Sequence, residues 1–200
     1  LGSATFGDTT LTSEGSLDIF VAKIDGNGNY LWANRAGGAD PDVGYAITSQ
    51  TDGSSIISGS YRESADFGDT TLNSISSENM FVAKIDSNGD YVWAKDVGGT
   101  GKKTSYAVTS LSDGSSIVTG SFGSTATFGS HTLTTTTNAD VYIAKLDDDG
   151  NYLWVTSAGG PLSGSLQSFG ITSLSDGSSI VAGTFEGIAV FGDTSLTTDG

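Results

Sequence analysis

Residues 20–33 read FVAKIDGNGNYLWA, and this stretch returns as FVAKIDSNGDYVWA at residues 81–94 and as YIAKLDDDGNYLWV at residues 142–155. Each copy contains one of the three tryptophans of the chain, which are spaced 61 residues apart: Trp32, Trp93 and Trp154. A repeat period of this length indicates one supersecondary unit used several times in succession. The sequence therefore predicts a repeat array.

The repeat extends well beyond this motif. Residues 44–60, GYAITSQTDGSSIISGS, have counterparts at residues 105–121 and 169–184, and ATFGDTTLTS at Ala4 returns at Ala65, Ala126 and Ala189. The last period is two residues longer because of a loop near residues 161–167. We interpret the chain as a single array with the following divisions: residues 1–38, 39–99, 100–160 and 161–200.

Each full repeat is predicted to hold four strands. An Asp-Gly pair between the first two strands is a strong hairpin signal, because glycine tolerates a positive φ. A long Thr/Ser-rich connection that carries the FGDTT element then leads to the third strand, and the fourth ends at a Gly-Gly pair. The predicted strands, in order within the repeat, are residues 45–49, 106–110 and 169–173; 55–60, 116–121 and 179–184; 19–24, 80–85 and 141–146; 30–34, 91–95 and 152–156.

These strands favour an all-β fold, a β-propeller of four-stranded antiparallel blades with a ~61-residue repeat. The chain shows no sustained helical periodicity. The third strand is apolar on both faces, as in residues 19–22, and such a strand must lie inside a stack of sheets. The tryptophans are predicted to be buried as wedges between neighbouring blades, where each indole N–H needs a partner. Small residues of the second strand, at 58–60 and its counterparts, are predicted to face the narrow centre.

The predicted strands amount to about three blades' worth, divided within a blade. The order is strands three and four, two complete sets, then strands one and two. Natural propellers use about four to eight blades. We expect either flanking repeats or other copies of the chain to complete the ring, because an unpaired sheet edge templates another strand. Two copies would give six blades.

Charge and composition exclude several classes of function. The net charge is −15, from 23 acidic and 8 basic residues, so a nucleic-acid partner is not expected. No apolar run approaches the roughly 20 residues of a membrane span, so no membrane insertion is expected. The absence of cysteine excludes disulfides and thiolate sites. The Ser, Thr, Asn and Gly-rich composition is typical of extracellular or cell-surface bacterial proteins.

The ordered motifs FVAKIDGNGNYLWA, Gly-Gly and SDGSSIVTG resemble the bacterial SBBP-type β-propeller repeat. The resemblance covers essentially the whole chain. It implies an extracellular scaffold within a large exported or surface protein. Together with the divided blades, it predicts a scaffold that self-assembles or forms part of a large surface or filament protein. It implies no particular ligand.

The Asp-rich turns are the first candidate site. They combine an Asp with a Gly three residues later, as fragments of calcium loops do, but no acid occupies the twelfth position that an EF-hand requires. Asp and Asn are also ordinary turn formers. We favour a structural turn, and calcium is left open as an alternative. The positions concerned are Asp25, Asp86 and Asp147 with Gly28, Gly89 and Gly150.

Repeated lysines end the third strand, and each needs a partner if it is buried. Lys23, Lys84 and Lys145 are predicted to form structural ion pairs. The expected partners are the turn acids such as Asp25, or the residues at the entry of the same strand: Asp18, Asn79 and Asp140.

No residue pattern predicts catalysis, and we expect no enzyme. His131 is the only histidine and has no second ligand type near it in sequence. The unrepeated acids Glu63, Glu78 and Glu186 could form a carboxylate pair only if the fold joined them. The recurring aromatic residues Tyr61, Phe122 and Phe185 could stack on glycans, but their recurrence favours blade packing. A structural and interaction scaffold is the preferred function, with a glycan- or cation-binding, adhesin-like module as the alternative and a propeller enzyme third.

Overall fold

The computed structural model describes residues 2–75, 77–136, 138–160 and 165–198, and these form twenty β-strands and no helix. Of the predicted longer loop near residues 161–167, residues 161–164 lie outside the described residues. The strands are β1 (Ser3–Phe6), β2 (Thr9–Thr12), β3 (Ile19–Ile24), β4 (Tyr30–Ala36), β5 (Val43–Ser49), β6 (Ser55–Tyr61), β7 (Ser64–Phe67), β8 (Thr70–Asn73), β9 (Asn79–Ile85), β10 (Tyr91–Asp96), β11 (Lys103–Ser110), β12 (Ser116–Phe122), β13 (Thr125–Phe128), β14 (His131–Thr134), β15 (Asp140–Leu146), β16 (Tyr152–Ala158), β17 (Leu166–Ser173), β18 (Ser179–Phe185), β19 (Ile188–Phe191) and β20 (Thr194–Thr197).

Two complete antiparallel sheets of four strands confirm the predicted blades. Their strand orders are β5-β6-β9-β10, which we call blade B, and β11-β12-β15-β16, which we call blade C. The pairs β3-β4 and β17-β18 are half-blades, A and D. Blade A supplies the third and fourth strands of the repeat, and blade D supplies the first and second. The all-β propeller prediction is therefore confirmed.

The FGDTT element forms a hairpin of its own, so the prediction of a plain connection was wrong. Each full repeat contains six strands, four in the blade and two in this hairpin. The described residues contain four hairpins of the FGDTT element: β1-β2, β7-β8, β13-β14 and β19-β20. The turn needs a glycine with φ near +60°, as at Gly68 and Gly129. Ala65 and Phe67 of the second hairpin are fully buried, which shows that the hairpin adds to the core.

The first strand of each blade is longer than predicted. It begins two or three residues earlier because a β-bulge shifts the register, for example between Gly44 and Ala46. The bulge also decides the role of the glycine in the second strand. A Cβ atom on Gly120 would lie 1.9 Å from the carbonyl oxygen of Thr104. This glycine therefore makes room for the bulged neighbour strand. The prediction that the small residues of the second strand face the centre of the propeller was wrong.

The blades converge on their first strands. β5 packs beside β11, and β11 packs beside β17. One aromatic ring from each first strand contacts the next in a tilted arrangement, with centroids 5.5 Å apart for Tyr45–Tyr106 and for Tyr106–Phe169. Apolar side chains fill the space between blades A and B, and a second cluster fills the space between blades B and C. This radial arrangement is that of a propeller.

Candidate functional site

Trp32 and Trp93 join each blade to the next one. The Trp32 Nε1–H donates to the carbonyl oxygen of Ser87 at 3.1 Å, and the Trp93 Nε1–H donates to that of Asp148 at 3.0 Å. Each acceptor lies in the Asp-x-x-Gly turn of the following blade. Both indoles are partly buried against the inter-blade core. We call this contact the Trp clasp, and it confirms the predicted wedge while correcting the expected full burial.

The glycine of the turn makes the clasp possible. A Cβ atom on Gly89 would lie 2.9 Å from the Trp32 indole, and one on Gly150 would lie 3.1 Å from the Trp93 indole. Both glycines also have positive φ. The repeated glycine is therefore required twice, by its own backbone and by the tryptophan of the preceding blade.

The repeated lysines strengthen the same joints. Lys84 is buried, and its ammonium group contacts Asp148 of the next blade at 2.5 Å and Asp52 of its own blade at 3.5 Å. Lys145 pairs with Asp113 at 3.3 Å. The predicted ion pairs are confirmed for these two lysines, but the predicted partners are wrong. Asp52 and Asp113 lie in the Asp-Gly turn between the first two strands of the same blade, and Asp148 belongs to the next blade. These acids are distant from the lysines in sequence, and the folded sheets bring them together.

Lys23 fills the equivalent place between blades A and B, but no acid pairs with it in the described part of the chain, so its predicted ion pair is wrong. Its ammonium group donates to the Ser87 carbonyl oxygen at 3.2 Å, the same atom that accepts from Trp32. The second repeat has Ser87 where the third has Asp148. At the joint of blades A and B, the lysine therefore binds a backbone carbonyl oxygen, whereas Lys84 binds the carboxylate of Asp148.

The Asp-rich turns use their carboxylates internally. Asp25 accepts hydrogen bonds from the backbone N–H of Asn27 and Asn29, at 2.8 and 2.9 Å, and from the Asn29 side chain. These bonds, led by the one from the Asn29 side chain, lower the pKa of Asp25. Asp86 and Asp147 make equivalent turns. The described residues contain no group of three or more acids or histidines placed to hold a metal ion.

One cluster of charges breaks the repeat symmetry, at the joint of blades B and C. Glu78 contacts Lys102 and Arg62 at 3.0 Å each and accepts a hydrogen bond from the Thr104 hydroxyl at 3.1 Å. Burial acts to raise the pKa of Glu78, but these partners hold it below the ordinary value. The carboxylate is thus fully engaged in joining the two blades, which favours a structural role.

Lys103, beside this cluster, is fully buried. Its ammonium group donates to the carbonyl oxygens of Gly99 and Gly101, at 3.0 and 2.9 Å, and burial lowers its pKa. Nearby, the Tyr61 hydroxyl donates to Asp96 at 3.0 Å. These groups close the end of the blade opposite the Trp clasp.

The other sequence candidates do not converge on one site. Tyr61 and Phe122 are buried at the ends of the second strands, and Phe185 packs against the core, as blade packing predicts. His131 begins β14, opposite Phe128, in a hairpin. Glu63 begins the β7–β8 hairpin with a φ of 53°. No contact joins it to Glu78 or Glu186 in the described part of the chain.

Asp42, at the entry of blade B, carries an unusual carboxyl group. Burial raises its pKa to about 6, and the nearby Asp18 and Asp40 carboxylates add to the rise. The backbone N–H groups of Gly38 and Arg62 donate to it at 2.7 and 3.2 Å and oppose the rise. The neutral form of this group therefore persists to a higher pH than in an ordinary aspartate, up to about pH 6.

We expect Asp42 to titrate with a midpoint near 6 in the folded protein, because its folded pKa lies above the ordinary value of 3.8. Its contribution to the free energy of unfolding is then fully present below pH 3.8 and is lost as the pH rises through about 6. Carboxyl carbon NMR would measure the midpoint. Asp113 is the internal control, because the hydrogen bond from the Ser115 side chain, its largest influence, lowers its pKa to about 2. A midpoint for Asp42 below 4 would contradict the expectation.

Two strands lack, among the described residues, the neighbour that their counterparts have in blades B and C: β3 has no second strand beside it, and β18 has no third strand. The equivalent strands inside blades B and C are almost wholly buried, whereas β3 and β18 expose much of their length. Phe20 of β3 is 62% exposed, while its counterpart Phe81 is 0% exposed. Beside β18 lies a cavity of about 560 Å³, lined by Val141, Leu166 and Val181 among others.

The Trp clasp is open at the same two places. Trp154 of blade C is 41% exposed and has no receiving turn among the described residues, so its predicted burial between two blades is wrong. The receiving turn of blade A, at residues 25–29, has no indole above it, and a Cβ atom on Gly28 would meet nothing within 4 Å. In the part of the chain that the structure describes, one clasp donor and one clasp acceptor are therefore unused.

The meander sheets, the converging first strands and the repeated Trp clasp define this chain as a β-propeller repeat array. Among known proteins, it is similar to a WD repeat-containing protein of Acanthamoeba polyphaga mimivirus, with 27% identity over 173 residues. The match covers 76% of this chain but 12% of that relative, so the chain spans a small part of the relative's length. No family model matches the sequence. None of the described residues forms a helix long and apolar enough to cross a membrane.

Proposed function

We propose that the chain is an extracellular structural and interaction scaffold of the SBBP type, whose half-blades are completed by strands of the same kind. The observation that carries the proposal is the pair of open edges on β3 and β18. In blades B and C, the equivalent edges pair with each other over seven residues. Each open edge therefore presents the surface that the other one needs.

The distribution of polar groups supports a scaffold without a catalytic step. The repeated lysines of blades B and C and the symmetry-breaking Glu78 are engaged in contacts that join strands and blades. The acidic composition, in which few residues are charged and Gly, Ser, Thr and Asn are abundant, supports an extracellular place.

A glycan-binding module is the second candidate, and the aromatic ladder Tyr45, Tyr106 and Phe169 favours it. Tyr106 also lines a cavity of about 430 Å³ together with Lys102, Asn138 and Gln167. An aromatic face beside amide and ammonium donors suits a sugar ring. A glycan array with the native chain and a Tyr106→Ala variant discriminates the two functions, since a scaffold gives no signal that depends on Tyr106.

The scaffold proposal predicts that the chain self-associates. Light scattering and sedimentation should give a mass that rises with concentration towards two copies, or towards a filament if the rotation does not close. The net charge of −15 opposes association, so raising the salt from about 10 mM to about 150 mM should strengthen it by screening. A protease-resistant monomer at all concentrations and at physiological salt would contradict the proposal.

A further inference from the structure

If half-blades D and A of two copies met, two FGDTT hairpins would lie at that joint: β19–β20 beside half-blade D and β1–β2 beside half-blade A. Inside the array, one hairpin serves two blades. The β7–β8 hairpin bridges to blade A through Gly37 and Asp66, and it packs Phe67 on Phe81 and Tyr91 of blade B, with centroids 4.7 and 5.6 Å apart. The β13–β14 hairpin repeats this arrangement between blades B and C.

Each outer hairpin makes half of these contacts. The β1–β2 hairpin packs Phe6 on Phe20 and Tyr30 of blade A, with centroids 5.0 and 5.6 Å apart. The β19–β20 hairpin bridges to blade C through Val190 and Gly159, with N–H···O distances of 2.7 and 3.3 Å. Its phenylalanine, Phe191, is 45% exposed, whereas the internal counterparts are buried. A joint between blades D and A therefore has room for one FGDTT hairpin, while two hairpins are present to occupy it.

We propose that the partner of the open edges is a second copy of this chain, and that the β19–β20 hairpin of one copy displaces the β1–β2 hairpin of the next. This inference rests on the proposed scaffold function. Strand β18 of one copy pairs with β3 of the other, and Phe191 takes the place of Phe6 on Phe20 and Tyr30 of the second copy. The β1–β2 hairpin thus acts as an internal competitor for the joint.

The internal blades fix the register of this pairing. Blade B pairs Ile57 with Ala83, and blade C pairs Val118 with Ala144. The equivalent pair at the joint is Val181 with Ala22 of the second copy. The same placement brings Trp154 onto the open turn at residues 25–29 of the second copy, so one rigid arrangement closes both the sheet and the clasp. The apolar side chains of β3 then enter the cavity beside β18.

The contacts explain why the β1–β2 hairpin is the one that yields. The β19–β20 hairpin is tied to blade C by two main-chain hydrogen bonds, and its Ala189 is fully buried in the core with Ala158 and Leu166. The β1–β2 hairpin packs on blade A through Phe6, and among the described residues no main-chain bridge ties it to a second blade. Displacement exchanges one phenylalanine for another on the same two rings.

Two phenylalanine variants at equivalent positions test the competition. Phe6→Ala weakens the competitor, so the dissociation constant of the two-copy complex should fall by about 2- to 10-fold, the range that one aromatic contact supplies. Phe191→Ala removes the replacing ring, so the constant should rise by a similar factor. A purely structural role for both rings would shift the two constants in the same direction, and that result would overturn the proposal. Sedimentation measures the constants, and circular dichroism confirms that both variants are folded.

A cysteine pair tests the register independently of the hairpins. The chain has no native cysteine, so a Val181→Cys chain mixed with an Ala22→Cys chain should form a disulfide-linked pair under mild oxidation. Each variant alone should not, and Val181→Cys with Lys23→Cys should not, because a one-residue slip turns the side chains to opposite faces. Association without the expected cross-link would overturn this inference while leaving the scaffold function standing. Absence of any association would contradict both.

Discussion

Replacing Gly120 by alanine is expected to lower the free energy of unfolding by about 3 kcal/mol, at the upper end of the range for overpacked cores. A Cβ atom at this position would lie 1.9 Å from the Thr104 carbonyl oxygen and 2.7 Å from the Tyr142 hydroxyl. The first neighbour is backbone of the adjacent strand, so it cannot rotate away as a flexible side chain would. The bulged first strand of blade C would have to move.

Gly170→Ala is the matched control for this experiment. Gly170 lies on the first strand at the bulge of blade D, where blade C has Ala107; its φ is not positive, and a Cβ atom there would meet nothing within 4 Å. Alanine at such a site should be neutral or stabilising by up to about 1 kcal/mol, because it restricts the unfolded chain. Urea unfolding of both variants measures the difference. Equal losses at the two positions would show that the bulge does not constrain the second strand.

Trp93 and Trp154 occupy equivalent positions of two repeats, but their replacement by alanine should lower the free energy of unfolding by very different amounts. Trp93→Ala should destabilise the chain by about 2–4 kcal/mol, since it deletes a partly buried indole and leaves the Asp148 carbonyl oxygen without that donor. Trp154→Ala should cost less than about 1 kcal/mol, because its indole is 41% exposed and has no receiving turn. Thermal unfolding at low protein concentration measures both.

The concentration dependence of the Trp154 effect connects stability with assembly. If a second copy supplies the receiving turn, Trp154→Ala should become more costly as the protein concentration rises, while the cost of Trp93→Ala should stay constant. A large cost of Trp154→Ala in dilute, monomeric protein would show that its indole already has a partner within the chain. That outcome would contradict the open clasp.

The blades were predictable from the sequence because their signals are local. The Asp-Gly pair places a tight turn between two β-rich segments, as at residues 50–54, and the apolar run of β9 requires burial on both faces. The recurrence of both signals at a fixed period then predicts stacked sheets. Strand ends were less predictable, because the bulge beside Gly44 arises from pairing with β6 and leaves no local mark.

The FGDTT hairpin was missed because its segment is rich in Thr and Ser, which are also typical of loops. The alternation was present, however, since Ala65, Phe67 and Leu72 all face the core. The lysine partners were missed for a different reason. Asp148 lies 64 residues from Lys84 in the chain, and only the packing of blade C on blade B brings the two together.

The sequence by itself determined the period, the strand pattern, the turn glycines and the absence of thiol chemistry, because each depends on residue type and on neighbours a few positions away. The tertiary structure alone decided which groups meet across blades. It placed Trp93 on the Asp148 carbonyl oxygen, and it left Trp154, β3 and β18 open. Identical motifs thus end in different environments, since burial and pairing depend on the neighbouring blade, which the residues of one repeat do not specify.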